Sequence, residues 1–113
     1  MKLQSFLLTV LFMCFYIMDI KAFSTFTFMD LTICSCRVWI EDSNGNYLAG
    51  DQGLHDCSEG EDTKFSFPDQ TYTVHAKVEA SFEKQKVRGP FNGDTCFRIH
   101  GTVDDWKFTQ RPC

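Results

Sequence analysis

The chain has 113 residues, with Lys plus Arg 11 against Asp plus Glu 15, six cysteines and 15% aromatic residues. That length makes one domain and no more. The acidic balance excludes counterion-release attraction to nucleic acid, and an anionic leaflet repels it too, so neither nucleic acid nor a membrane is an expected partner.

The first element is a leader over residues 1–22. Lys2 supplies a positive n-region, and Phe6 to Met18 (FLLTVLFMCFYIM) is apolar except for Thr9. Asp19-Ile20-Lys21-Ala22 ends the run, with Ile20 and Ala22 at the −3 and −1 positions of a cleavage site. This is the layout of a secretory signal peptide, and the run is shorter than the roughly 20 residues of a spanning helix. Cleavage after Ala22 leaves 91 residues carrying nine Lys and Arg against 14 Asp and Glu, a net charge of −5. So small a chain has a marginal core. The five remaining cysteines, Cys34, Cys36, Cys57, Cys96 and Cys113, are the expected disulfide staples of an oxidising compartment.

Five is an odd number. Either one thiol stays free, or one pairs between chains, or cleavage falls elsewhere. Cys34 and Cys36 are poor partners for each other, because residues i and i+2 of a strand have the wrong geometry for a bridge. Each must look elsewhere, and one is expected to find nothing.

Residues 23–33 alternate Phe26 and Phe28 with polar residues and predict an aromatic N-terminal arm or an edge strand. Residues 34–113 then read as a single β domain. Cys36 to Glu41 alternates as a half-buried strand does. Asp42-Ser43-Asn44-Gly45-Asn46 follows, and Asn-Gly is a strong hairpin signal because both residues tolerate positive φ. Tyr47-Leu48-Ala49 is the returning strand. Gly50 to Asp62 is an acidic loop pinned by Cys57. Lys64 to Phe67 is another short strand, stopped by Pro68. The clearest period-two pattern puts Tyr72, Val74, Ala76, Val78 and Ala80 on one face, against Thr73, His75, Lys77 and Glu79 on the other. Ser81 to Arg88 reads as either a helical turn or a hairpin arm. Gly89 to Asp94 is a turn by composition. Cys96 to His100 is a strand with Phe97 and Ile99 inward, and Val103 to Phe108 a last short strand. The fold class is all-β: a small disulfide-stabilised β-sandwich or barrel of five to seven short antiparallel strands, with one short helix at most.

Candidate chemistry is sparse. His75 and His100, with Glu79 and Arg98, offer residue types for a ribonuclease-like acid–base set, but no local motif fixes their geometry. Cys34-x-Cys36 with His55-Asp56-Cys57 has metal-ligand types, yet in a secreted chain the disulfide reading takes precedence. Asp42 to Asn46 departs from a calcium loop in its glycine position and lacks the closing glutamate. No metal, cofactor or catalytic residue is assigned. The acidic loop (Asp51, Asp56, Glu59, Glu61, Asp62) and the basic segment (Lys84, Lys86, Arg88) read as solvated surface or as a bipolar docking surface. The candidate partner-binding patch is therefore Thr73, His75, Lys77 and Glu79 of the long strand, with Lys84, Lys86 and Arg88 beside it.

A cysteine at the first strand (Cys34 or Cys36), a clean fourth strand (Tyr72 to Ala80) and a second cysteine opening the fifth (Cys96) resemble the MAX effectors of fungal plant pathogens. Asp94 to Gly101 followed by Asp105-Trp106 is similar to the tail of several members. The resemblance covers Cys34 to Phe108 and is one of pattern. It implies a six-stranded β-sandwich with a bridge between strands one and five, delivery into or around plant cells, and action on host immunity. Some members bind small metal-binding-type host domains through a sheet edge or face. The extra Cys57 and Cys113, the aromatic arm and the long 81–95 connection depart from the pattern. The expected bridges are Cys34 or Cys36 to Cys96, as the resemblance implies, and Cys57 to Cys113, each tying strands distant in sequence.

The expectation is thus a secreted, monomeric, non-enzymatic effector that binds a host or competitor protein, either outside cells or after entry into them. The alternatives are a small secreted ribonuclease-like or hydrolytic toxin, and an antimicrobial or enzyme-inhibitor module.

Overall fold

The computed structural model describes residues 22–113 except residue 59. The leader and Cys14 lie outside the described residues. Among the described residues nine strands follow in order: β1 (Ala22–Leu31), β2 (Ser35–Asp42), β3 (Tyr47–Gly50), β4 (His55–Asp56), β5 (Thr63–Pro68), β6 (Tyr72–Val78), β7 (Lys86–Phe91), β8 (Thr95–Thr102) and β9 (Asp105–Arg111). They form two sheets, β5-β1-β8-β9 and β3-β2-β6-β7, with β4 also pairing β2. The described residues hold no helix, so the fold is all-β, with more strands than the turn signals predict.

The alternation in β6 has the predicted consequence. Tyr72, Val74, Ala76 and Val78 are fully buried on the inner face and meet Val38 and Ile40 of β2. From the other sheet come Phe97 and Ile99 of β8 and Trp106 and Phe108 of β9, with Phe97 and Phe108 stacked at 4.8 Å. Each of the Val, Ile and Phe side chains withdrawn from water is worth about 1.5–3 kcal/mol.

β1 departs from expectation. It is neither an arm nor an edge but lies between β5 and β8, and its ladder with β8 is parallel. Its inner face is Thr25, Thr27, Met29 and Leu31, whereas Phe26 and Phe28 pack edge to face on the outside. Residues 79–85 make a loop rather than a helical turn, and β7 runs through Gly89 and Pro90 to Phe91, shortening the predicted turn.

The bridges also differ. Cys36 joins Cys57, Cys96 joins Cys113, and among the described residues Cys34 is the free thiol. The sheet register explains this. Cys36 pairs with His55 across β2 and β4, which places Cys57 beside it, and Cys96 faces Arg111 across β8 and β9, so Cys113 follows within reach. Both bridges staple neighbouring segments instead of distant strands.

Lys86 and Arg88 close one open side of the sandwich. They share the inner side of β7 with Ala76 and Val74 of β6, their cross-strand partners. Lys86 donates to the Trp106 carbonyl and lies 4.3 Å over its ring, and Arg88 donates to the Phe108 carbonyl at 3.0 Å. Two carbonyls on the open edge of β9 are thereby taken by side-chain donors, which disfavours pairing of another strand there.

Candidate functional site

The structure divides the sequence-predicted patch among a strand face, a loop and the framework. Thr73, His75 and Lys77 share the outer face of β6, with Glu79 just beyond it, and Lys84 stands exposed in the 79–85 loop. Lys86 and Arg88 point between the sheets and hold β9, so the basic segment is divided between loop and framework.

His75 is only 7% exposed, not on a wet face. Its ring stacks on Trp39, its cross-strand partner, at 5.2 Å, and Arg37 lies 4.2 Å over the same indole. His75 Nε2 meets the Thr73 hydroxyl at 2.8 Å, while Trp39 Nε1 donates to Glu41 at 2.7 Å. Gly50 permits this arrangement. It adopts φ +108°, and a Cβ there would sit 2.7 Å from the Trp39 Cα. Burial pushes the His75 imidazole below its ordinary value, against the opposing pull of Glu41. Thr73, His75, Trp39 and Glu41 are thus mutually satisfied, in the manner of a packed surface layer.

His100 alternates with the inward Phe97 and Ile99 on β8, and so lies on the outer face of the other sheet. Burial, then Arg98 and Lys107, lower its ordinary value. The two histidines stand on opposite outer faces with the core between them. They do not form the facing acid–base pair that the hydrolytic reading requires.

The third histidine forms a different cluster. His55 Nε2 is 2.6 Å from Asp51 Oδ2, and its Nδ1 is 2.8 Å from the Asp56 carbonyl and 3.8 Å from Cys57 Sγ. Burial would lower its pKa, but the hydrogen bonds to the Asp56 carbonyl and the Asp51 carboxylate outweigh it and raise it. One ligand atom each from Cys36, His55 and Cys57 lies within 4.8 Å of the others, with both sulfurs joined as cystine.

The most unusual surface lies at one end of the sandwich, where the β1–β2, β6–β7 and β8–β9 loops meet. Thr32 N donates to the Gly101 carbonyl at 2.9 Å, Glu79 N to Ser35 at 2.9 Å, and Phe82 N to Asp104 Oδ1 at 3.0 Å. Two large apolar side chains project from this end: Ile33, 92% exposed, and Phe82, 93% exposed. Both are flanked by anchored residues. Ser81 accepts from Trp106 Nε1 at 3.2 Å and Glu83 from Trp106 N at 2.9 Å, which leaves Phe82 pointing outward between them. Beside Ile33, the Cys34 carbonyl accepts from Cys57 N at 3.0 Å. Ile33 also has φ 47°, a left-handed conformation that a β-branched residue adopts only at a cost. Exposed Asp56, Glu79, Asp104 and Asp105 stand on or beside the segments that form this end, as does exposed Lys84. Cys34, next to Ile33, gives its thiol to the Thr32 carbonyl, and burial raises its pKa, so it is not an activated nucleophile.

Sequence reasoning missed this end. Its signals were a lone Phe82 inside the polar Glu79–Gln85 stretch and Ile33 between two strand-forming segments.

No family model matches this chain, and no curated protein matches it. Among solved structures it is similar to the crystal structure of the human-specific toxin intermedilysin, with a TM-score of 0.54 and 13% identity over 82% of this chain and 24% of the toxin chain. The likeness is one of fold, and this chain spans only that fraction of the toxin's length.

Proposed function

We propose that this chain is a secreted, non-catalytic effector that binds a protein of a host or competitor, and that its loop end makes the contact. One observation carries this reading: Ile33 and Phe82 stand almost wholly in water on the same end, each held out by anchored neighbours. Exposed apolar groups of this size mark interaction sites more often than accident when they cluster. Holding them in place beforehand lowers the ordering cost of association. The two disulfides accord with an extracellular location.

The partner is a protein with an apolar cleft rimmed by cationic groups. The carboxylates at the loop end favour such a rim and oppose an anionic bilayer. Burying the two side chains contributes about 3–6 kcal/mol, so replacing both should weaken binding by about a hundredfold or more.

The test places a benzophenone side chain at position 82, or at position 73 on the β6 face, and exposes each protein to extracts and to phosphatidylcholine vesicles. The expected result is a discrete protein adduct from position 82 alone, suppressed by Ile33→Asp and by high salt. Adducts from position 73 alone, no adduct from 82, or uptake by the vesicles would each overturn the assignment.

A further inference from the structure

We infer that Cys36, Cys57 and His55 constitute a zinc site that is masked by the cystine and opens when a small-molecule thiol reduces it. This site uses other residues than the docking end and stands or falls separately from it. Two thiolates and an imidazole are the borderline-soft donor set that zinc prefers over calcium or magnesium. Their ligand atoms already lie within 4.8 Å of one another, on strands β2 and β4 and the residue after them. The Cα atoms of the two cysteines are 5.8 Å apart, and two thiolates on one tetrahedral ion need their sulfurs about 3.8 Å apart at zinc–sulfur bonds of about 2.3 Å. The sulfurs therefore separate by about 2 Å on going from cystine to zinc. That movement falls on Cys57, which follows a strand of only two residues.

The orientation of His55 supports the assignment. Its Nε2 is held by Asp51 at 2.6 Å, the carboxylate–histidine arrangement that fixes a metal-binding imidazole. The other nitrogen, Nδ1, is on the side of Cys57 Sγ, 3.8 Å away, and becomes a ligand when it releases the Asp56 carbonyl and gives up its proton. The side chain of His55 is 33% exposed, which gives the ion an entry path and leaves the fourth position to water. The sulfurs are fully buried, so the reductant reaches them when the two-residue β4 opens locally, and zinc thiolates formed there are then shielded from competing ligands.

The chemistry balances. Two thiols of the reductant give two electrons and two protons to the Cys36–Cys57 bond, forming two cysteine thiols and one disulfide of the reductant. Zinc then displaces the two thiol protons and the proton on His55 Nδ1, releases all three to water, and binds the two thiolates and the imidazole. The same two sulfurs serve either as a staple or as a metal site, never both.

The experiment titrates the domain with cobalt(II), a spectroscopic stand-in for zinc, before and after treatment with excess glutathione, following near-ultraviolet circular dichroism alongside. The oxidised protein should give no thiolate-to-cobalt band. The reduced protein should give a tetrahedral spectrum at one equivalent, displaced by zinc, and unchanged in Cys34→Ser. Asp51→Asn should weaken binding by about 10–100-fold, and His55→Ala should abolish the tetrahedral spectrum. If reduction unfolds the domain, one equivalent of zinc should restore the dichroism. The inference is overturned by an unaltered spectrum in His55→Ala, by loss of it in Cys34→Ser, or by a reduced protein that neither binds one equivalent nor refolds with zinc.

Discussion

At one end of the sandwich Tyr72 is fully buried, with Phe23, Phe67 and Phe91 around it at ring distances of 6.3, 4.6 and 5.8 Å. Its hydroxyl donates to the Gly93 carbonyl at 2.6 Å and meets Thr95 Oγ1 at 2.7 Å, and Thr95 in turn lies 3.2 Å from Thr25. At the other end Phe82 is 93% exposed although its neighbours are tied to Trp106. The same kind of side chain closes one end and is displayed at the other. The difference lies in what the backbone around each ring is anchored to. Tyr72 is drawn in by strand pairing and three polar partners. Phe82 is turned out by the inward anchoring of Ser81 and Glu83. An end where large apolar groups are fixed in water has been spared the burial that stabilises the rest of the molecule, and that is the ground for assigning it to binding.

The largest effects should come from breaking the closed end. Tyr72→Ala removes a central ring and should cost about 3–5 kcal/mol, and Tyr72→Phe, which strands the buried partners of the hydroxyl, about 1–3 kcal/mol. Phe82→Ala should stay within about 0.5 kcal/mol of the parent. Urea unfolding of the three variants checks the contrast. A loss for Phe82→Ala comparable to that for Tyr72→Phe would mean that Phe82 is a structural residue after all.

Next come the staples. With sequence separations of 21 and 17, Cys57→Ala and Cys96→Ala should each lower stability by about 3 kcal/mol in the chain-entropy account. Mass mapping without reduction should recover peptides joining Cys36 to Cys57 and Cys96 to Cys113. A peptide joining Cys36 to Cys96 would contradict the register from which these pairs follow.

The closed end was largely legible in the sequence, and the loop end was not. Alternation marked β6 because one face is core and the other is not, and Phe97 and Ile99 followed the same rule. β1 misled because its outward residues are phenylalanines and its inward ones include Thr25 and Thr27. Its neighbours, β8 in particular, lie some 70 residues away in register, for example Thr25 against Thr95, and no local pattern encodes such a pairing. The bridges were assigned to distant strands because spacing alone cannot say which segments are adjacent; the β2–β4 and β8–β9 pairings decide that. Lys86 and Arg88 read as a basic surface because their roles as donors to β9 carbonyls exist only in the folded chain. Ile33 and Phe82 were visible as residues but not as neighbours, since three separate loops bring them to one end.

Smaller effects should appear with pH and sharpen the account of the histidines. His75 binds a proton less readily folded than unfolded, because burial lowers its pKa below the ordinary 6.5. Its contribution is therefore complete above about pH 6.5 and drains as the pH falls toward the folded value. His100 acts with the same sign. His55, raised above 6.5, does the reverse: its contribution is complete below about pH 6.5 and is lost as the pH rises through the folded value. Stability measured across this range should fall less steeply on the acid side in His75→Gln, and less on the neutral side in His55→Gln. An acid-side profile identical to the parent's in His75→Gln would show that its packing against Trp39 does not govern its proton.

The smallest change in stability should accompany the largest change in function, in the double variant Ile33→Asn with Phe82→Ser. Asn tolerates the left-handed backbone at position 33 better than Ile, whose φ is 47°. Neither original side chain is buried. The double variant should be as stable as the parent or more stable by about 1 kcal/mol, and should lose the partner adduct formed from the loop end. Retained partner binding in the folded double variant, or a stability loss greater than about 1 kcal/mol, would contradict this expectation.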